Sequence, residues 1–306
     1  MDAIFVTEQL LNGLAYGFML FLLAAGLTLV FGIMDTMNLA HGSLYMAGAY
    51  VAARVHDSSG QFVLAVLVAV GVTVCVAAVL EVLIMRRLYR RDHLAQVLAT
   101  FGLILIADDA VKALWGPSPI MAPTPAALAG PVHLMDGLPY SSYRLLLIGV
   151  GVLVAVGLYW LVNRTRMGML VRAGAADRQM AEFMGVRVGR VFSFVFLLGA
   201  ALAALAGALM GPVSAVQIGM GEAILIPALV VIVIGGVGSV RGAFVASLLV
   251  GLIDTSGRAF LPPLLREVLS PSLAADVGPA LASISMYALM AVVLTLKPAG
   301  LFPARA

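Results

Sequence analysis

Gln9–Ile33 reads QLLNGLAYGFMLFLLAAGLTLVFGI, an apolar run without one charged side chain. At 1.5 Å per residue a helix of this length is roughly 37 Å long, enough to cross the ~30 Å hydrocarbon core of a bilayer. Similar runs recur at about 61–85, 94–115, 143–162, 191–213 and 281–297, while the apolar stretches near 41–55 and 224–256 are short or broken. Hydrophobic residues make up 62% of the 306 positions and charged ones 11%, against roughly 25% charged in a soluble domain. A water-soluble fold of this length could not hide that much apolar surface. In lipid the backbone has no hydrogen-bond partner but itself, so every run is expected to be helical. The expected fold class is all-α: one polytopic transmembrane helix bundle of about eight spans, including broken or re-entrant helices.

Basic residues give the expected orientation. Arg86, Arg87, Arg90 and Arg91 follow the second run, and Arg164, Arg166, Arg172, Arg178, Arg187 and Arg190 lie between Asn163 and Val191. The connections 56–61, 116–142 and 215–222 hold no Lys or Arg. Short loops rich in Lys and Arg stay cytoplasmic. The N-terminus and the loop 116–142, with its six prolines, are therefore expected outside, and the loop 163–190 and the C-terminus, with Lys297 and Arg305, inside. Nucleic acid is not an expected partner, because a net charge of +3 and apolar flanks supply no basic surface. Asp2 and Glu8 precede the first run without a basic residue, so that run is expected to be kept as a span rather than cleaved as a signal peptide. Cys75 is the single cysteine, which rules out an internal disulfide. Gly13/Gly17 and Gly207/Gly211 have the small-xxx-small spacing of closely packed membrane helices.

Two interruptions stand out. In Ala24–Val55 the residues Asp35, Asn38, His41 and Ser43 break an apolar run, and Gly42 follows the His. In Ile224–Ser256 the sequence GGVGSVRG occupies Gly235–Gly242. The apolar arms around it are about twelve and eleven residues, roughly 18 Å or less each, too short to cross alone. A pair of Gly-interrupted segments, one per half, points to a transport site at the midplane; ordinary turns at the membrane face are the alternative. Asn38, His41, Gly42, Ser43 and Tyr45 are thus candidates for the translocation path, and Gly235, Gly236, Gly238, Ser239 and Gly242 for its hinge. His41 is read as a packing residue, a path-lining residue or a proton carrier. Asp108 and Lys112 have i, i+4 spacing at the outer end of one span, where they either snorkel to the interface or form an outer gate. Glu81 is expected to pair with the Arg cluster that follows it.

No fuel-burning constellation is present. Lys112 and Lys297 are the only lysines, and neither lies in G-x-x-x-x-G-K-[ST]. H-E-x-x-H, G-x-S-x-G and metal-ligating Cys/His clusters are missing too, so the chain is expected to be neither an enzyme nor a metal protein. The inner loop does offer a docking element. Met180, Phe183 and Met184 recur at helical spacing, with Asp177 as the expected N-cap and Gly185 as the expected stop. Such a helix of about two turns, flanked by Arg178 and Glu182, either lies on lipid headgroups or enters a groove on a soluble partner.

GLTLVFGIMDTMNLAHGSLYMAGAYVA at Gly26–Ala52 resembles the signature of branched-chain amino-acid ABC transporter permeases of the LivH type, with Asn38-Leu39-Ala40-His41-Gly42 in place of N-F-A-H-G. Glu81 with RRLYRR at 86–91 resembles that family's E-R-x-x-Y-R-P-L-R segment, and Arg166–Val191 its coupling loop. Gly235–Asp254 and Leu296–Phe302 are similar to its closing motifs. Leu39, Arg90-Arg91 and Arg241 depart from the family pattern. The resemblance implies a bacterial inner-membrane permease subunit of an ABC importer for branched-chain or hydrophobic amino acids, or related small carboxylates or amides. It further implies a second homologous permease, two ATP-binding subunits that hold the ATP and Mg, and a periplasmic substrate-binding protein. Under it, Arg172, Asp177, Arg178, Met180, Glu182, Phe183 and Gly185 would couple to the ATPases. A secondary carrier or channel, which would move solute without added ATPases, is the rival reading; a membrane-embedded transferase would need converging catalytic residues that the sequence does not show.

Overall fold

Helix α1 (Ala3–Met34) runs through the interior of the bundle. Of its most apolar window 83% is buried, against 17% for α6, so α1 is enclosed by protein while other spans show apolar faces to lipid. The computed structural model describes residues 3–34, 36, 38–89, 91–135 and 138–302. Asp35, Arg90 and Arg305, and the side chain of Arg178, lie outside the described residues.

From α1 the chain passes through α2 (His41–Ser59) and α3 (Phe62–Leu80), which continues as a π-turn (Glu81–Met85) into α4 (Arg86–Leu88). Next come α5 (His93–Trp115) and a short antiparallel hairpin, β1 (Pro131–Met135) with β2 (Leu138–Ser141), in which Val132 faces Tyr140. The second half holds α6 (Ser142–Arg164), α7 (Arg166–Ala176), α8 (Arg178–Phe183), α9 (Val188–Met210), α10 (Met220–Gly235), α11 (Val240–Leu265) and α12 (Pro271–Leu296). Among the described residues, seven helices are long and apolar enough to cross a membrane, and α10 is shorter. The hairpin is a small exception in an otherwise helical bundle.

Two helices extend beyond the apolar runs that announce them. α11 continues to Leu265 and α12 begins at Pro271. In the sequence the one apolar stretch ends near residue 256 and the next opens near residue 281. Pro262 and Pro263, however, sit in the last turn of α11, and Pro271 opens α12, where its missing N–H costs nothing.

Successive spans alternate between an Arg-rich end, holding residues 81–89, 91–93 and 164–188, and a Pro-rich end, holding residues 116–135 and 138–142. Leu301 N–H donates to Ile234 O and Phe302 N–H to Gly235 O, which fixes the chain's last described residues to the Arg-rich end. The mutual backbone bonds between Ile120 and Val216 tie the α9–α10 connection to the Pro-rich loop.

The halves are related by an inverted repeat. α1 descends to the Arg-rich end, and α2 starts inside the bundle and rises to the Pro-rich end. α9 and α10 do the same in the opposite sense. α1 packs on α11 as α9 packs on α3, α2 packs on α3 as α10 on α11, and α2 meets α5 as α10 meets α12. The single span α6 between the two sets gives them opposite polarity. Transporters built this way carry their solute site near the midplane, at the repeat interface.

Glycine makes the close crossings possible. A Cβ on Gly17 would lie 2.9 Å from Ser247 O, and one on Gly13 3.0 Å from Leu252 Cα. The Gly13/Gly17 spacing thus serves the α1–α11 contact, where small residues replace the hydrophobic drive that lipid removes.

Candidate functional site

The first candidate region is the junction of the two half-length helices. Past Met34 the chain turns back into the bundle: Thr36, Asn38 and Ala40 are buried, and the Asn38 side-chain oxygen accepts from Ala40 N–H at 3.1 Å. That turn launches α2 at His41, whose residue is 1% exposed. The His41 ring lies against Gly26 of α1 and against Gly199, the middle residue of α9, so α2 begins near mid-depth. α10 begins at the same level, because backbone atoms of Gly42 and Gly221 are in direct contact. Gly221 stands about 21 Å along α10 from Gly235. Two helix N-termini, with their partial positive charge, therefore converge inside the protein. Ser43 Oγ is buried there with no hydrogen-bond partner among the described residues. Tyr45 is also buried, and it lies within electrostatic reach of Tyr16 on α1. Asn38, His41, Gly42, Ser43 and Tyr45 are thus gathered at one interior junction, with the buried His41 ring between Gly26 and Gly199.

The other expected break is elsewhere. Gly235, Gly236, Gly238, Ser239 and Gly242 form a turn at the Arg-rich end, beside Gly32, Ala299 and Phe302. Gly236 and Gly238 have φ of 100° and 80°, values that L side chains rarely adopt. Ser239 Oγ accepts from Gly242 N–H at 3.1 Å and caps α11. Gly42 therefore meets Gly221 at the junction, and the 235–242 break lies apart from it. The loop 211–219, which reads in the sequence as a plain outer connection, is the segment that leads inward to the junction.

The second region was not singled out by the sequence. Asp254 is buried on α11, and its Oδ2 accepts from Arg258 Nε at 2.9 Å; Arg258 also donates to Ser283 of α12 at 2.9 Å. Tyr16 is within electrostatic reach of both charges. Beside them, Arg144 of α6 donates to the Asn12 side chain of α1. The opposite half holds a counterpart at the Arg-rich end: buried Glu81 pairs with Arg86 at 3.1 Å and accepts from Ser193 of α9 at 2.9 Å. The π-turn Glu81–Met85 explains that pair, since its i→i+5 geometry stacks residue 86 over residue 81. Each repeat thus has one buried carboxylate joined to an Arg, at opposite ends. The i, i+4 spacing of Asp254 and Arg258 was a legible signal, masked because the apolar run stops at residue 256.

The third region is the loop at the Arg-rich end. Thr165 caps α7 by accepting from Gly168 N–H, and Arg172 donates to Val162 O, which fastens α7 to the end of α6. Asp177 Oδ1 accepts from Met180 N–H at 2.9 Å to cap α8, and Gly185, at φ 83°, ends it. Ala181 faces the body, while Met180, Glu182, Phe183 and Met184 are exposed, Phe183 to 85%. A short rigid helix therefore presents three large apolar side chains outward.

Comparison with known proteins gives this architecture a family. Residues 9–294 match the model described as the branched-chain amino acid transport system / permease component. The chain is 31% identical to the high-affinity branched-chain amino acid transport system permease protein BraD of Pseudomonas aeruginosa, over 82% of this chain and 85% of that protein. It is 26% identical to LivH of Escherichia coli, over 97% of this chain and 96% of LivH. A shorter match, 34% identical over 34% of this chain and 31% of the relative, is to the fructose import permease protein FrcC of Rhizobium meliloti. No solved structure matches the chain significantly. With seven membrane-length helices among the described residues, six of them in an inverted repeat, and a family match spanning nearly all of them, the chain is a multi-pass membrane protein that belongs to the branched-chain amino acid transport permease family.

Proposed function

We propose that this chain is the permease subunit of an ABC importer of the bacterial cytoplasmic membrane, with its Arg-rich end and C-terminus in the cytosol and its Pro-rich end and N-terminus outside. Its cargo is a branched-chain or other hydrophobic amino acid, or a related small carboxylate or amide. It works with a second homologous permease, with two ATP-binding subunits that hold ATP and Mg, and with a periplasmic binding protein that delivers the solute. Closure of the ATPases pushes on α8, and the two repeats rock about their shared junction between outward and inward states. The chain itself breaks no bond.

The observation that carries this reading is the α8 surface. Met180, Phe183 and Met184 stand exposed on a helix held at both ends by a cap and a stop. An apolar knob on a rigid mount suits a groove in a soluble motor better than a floppy loop would. The names of BraD and LivH support the cargo class, while the shorter match to FrcC marks how far cargo varies among relatives.

Reconstitution of the permease pair with the ATPases and binding protein in liposomes is the test. Uptake is expected to need ATP, and Glu182→Arg or Gly185→Pro is expected to uncouple hydrolysis from uptake. Normal ATP-dependent uptake in both variants removes the assignment of α8. Uptake that follows an ion gradient with the ATPases absent replaces the importer reading with a secondary carrier.

A further inference from the structure

A cavity of about 430 Å³ opens among α1, α6, α11 and the end of α9, in the half of the bundle nearer the Pro-rich end. That volume is within the range of small-molecule sites, roughly 300–1,000 Å³. One stripe of α1 supplies Phe5, Gln9, Asn12 and Tyr16, four residues at i, i+4, i+7 and i+11 spacing that share a helix face. Arg144 enters from the first turns of α6, and Thr255 and Arg258 from α11. Phe5, Ala15, Leu147, Met210 and Val213 make the rest of the wall apolar.

The charges in this cavity are not equivalent. Arg258 is neutralised by Asp254 and fixed by Ser283. Arg144 bonds to the neutral Asn12 side chain and forms no ion pair among the described residues. A guanidinium has five donors, so the bond to Asn12 and the neighbouring Tyr140 hydroxyl leave donor capacity on a side chain that lines the cavity. Glu8 does not line this cavity; it shares with Arg144 a second cavity of about 370 Å³. Beneath the polar floor, the α1–α11 crossing at Gly13, Gly17 and Gly251 is closed by backbone contact. The result is a pocket whose Arg144 guanidinium has no ion-pair partner among the described residues, with hydroxyl and amide groups around it and apolar sides.

We propose that this cavity binds a small carboxylate with an apolar body, its carboxylate on Arg144 and its hydrocarbon against Leu147, Met210 and Val213. Arg144 is well suited to this, because its planar fork matches the two carboxylate oxygens. Asn12 orients the guanidinium, and Tyr16 and Thr255 accept or donate around the ligand's polar head. The proposal rests on the transport reading and deepens it: the cavity is the first site within the permease that a solute meets on leaving the binding protein.

The test uses the full-length chain in lipid nanodiscs and calorimetric titration with four probes: L-leucine, L-phenylalanine, 4-methylpentanoate and 3-methylbutylamine. At least one carboxylate probe is expected to bind, and the amine, which lacks the carboxylate, is not. Arg144→Gln is expected to weaken carboxylate binding at least tenfold, about 1.4 kcal/mol, with Arg144→Lys recovering part of the loss. Ala259→Phe, which narrows the cavity from α11 without touching a charge, should also abolish binding, so the result does not depend on Arg144→Gln folding well. Binding of no carboxylate probe, tighter binding of the amine, or unchanged affinity in Arg144→Gln and Ala259→Phe each overturns the site. The same variants in the complete reconstituted transporter separate the two ideas. ATP-dependent uptake with an unaltered KM in both variants sinks the cavity and leaves the permease reading intact, whereas absence of ATP-dependent uptake in the unaltered complex sinks the permease reading.

Discussion

Replacing Gly42 with Ala tests whether the two half-length helices meet as described. A Cβ on Gly42 would lie 2.7 Å from the carbonyl carbon of Gly221 and nearer still to its oxygen. Carbon–carbon contacts prefer roughly 3.5–4.0 Å, so about 1 Å of separation must be found. The obstacle is backbone, and no rotamer change relieves it. Overpacking of a well-packed core costs typically 1–3 kcal/mol, and a backbone clash at the meeting of two helices belongs at the upper end, about 2–3 kcal/mol. Gly71→Ala on α3 is the control, since nothing lies within 4 Å of its would-be Cβ; there the gain in helix propensity leaves stability unchanged or raised by less than about 1 kcal/mol. Gly221→Ala should match Gly42→Ala, because the overlap is mutual. The double variant should cost at least about 1 kcal/mol less than the sum, because once the helices have moved apart the second methyl enters space already opened. Loss of helical signal during SDS titration of the protein in mixed micelles gives the numbers. If Gly42→Ala is no worse than Gly71→Ala, or if the Gly42 and Gly221 effects add without coupling, the junction is not built this way.

Three further outcomes are expected. Phe183→Asp should leave the unfolding midpoint within about 0.5 kcal/mol of the unaltered chain, since Phe183 is 85% exposed, yet lower ATP-dependent uptake at least tenfold in the reconstituted complex; normal uptake would refute the docking role of α8. Asp254→Ala removes the partner of Arg258, whose side chain is 49% exposed, so the cost should be about 2 kcal/mol rather than the 3–5 kcal/mol of a fully buried pair. Asp254→Ala with Arg258→Leu should recover part of it, and SDS titration measures both. With Cys75→Ser as background, a cysteine in place of Thr124 should react with a membrane-impermeant maleimide in intact cells, and one in place of Arg187 only after permeabilisation. The reverse pattern would invert the proposed orientation.

The repeat also bears on why the polar pairs sit where they do. Asp254–Arg258 lies toward the Pro-rich end and Glu81–Arg86 toward the Arg-rich end, each on the helix that follows a half-length helix. A charged pair in lipid needs either a partner or access to water. Both have a partner, and both keep the Arg partly exposed while the carboxylate is buried. The two ends of the bundle are therefore each locked by one ion pair and one serine, Ser283 and Ser193 respectively. The Glu81–Ser193 bond joins the two repeats, whereas the Asp254–Arg258–Ser283 set holds α11 to α12 within one repeat.

What the sequence made legible follows the same physics. Spans were readable because lipid forces long apolar runs into helices, and the α8 cap and stop because Asp177 and Gly185 act on their immediate neighbours. The ends of α11 and α12 were less readable, because proline marks a helix end only on average and tertiary packing of Gly278 against Pro262 overrides it. The junction was half legible. Polar residues at 38–43 announced one break, but its partner at Gly221 carries no such mark: Gly211–Gly219 reads like any short outer connection, and the motif-rich Gly235–Gly242 drew attention away. Which glycine meets which is a property of two helices far apart in sequence, fixed by the inverted packing of whole halves. The cavity was hidden for a related reason. Asn12, Arg144 and Arg258 each look like an isolated polar residue near a helix end, and they become one site only when α1, α6 and α11 are brought side by side.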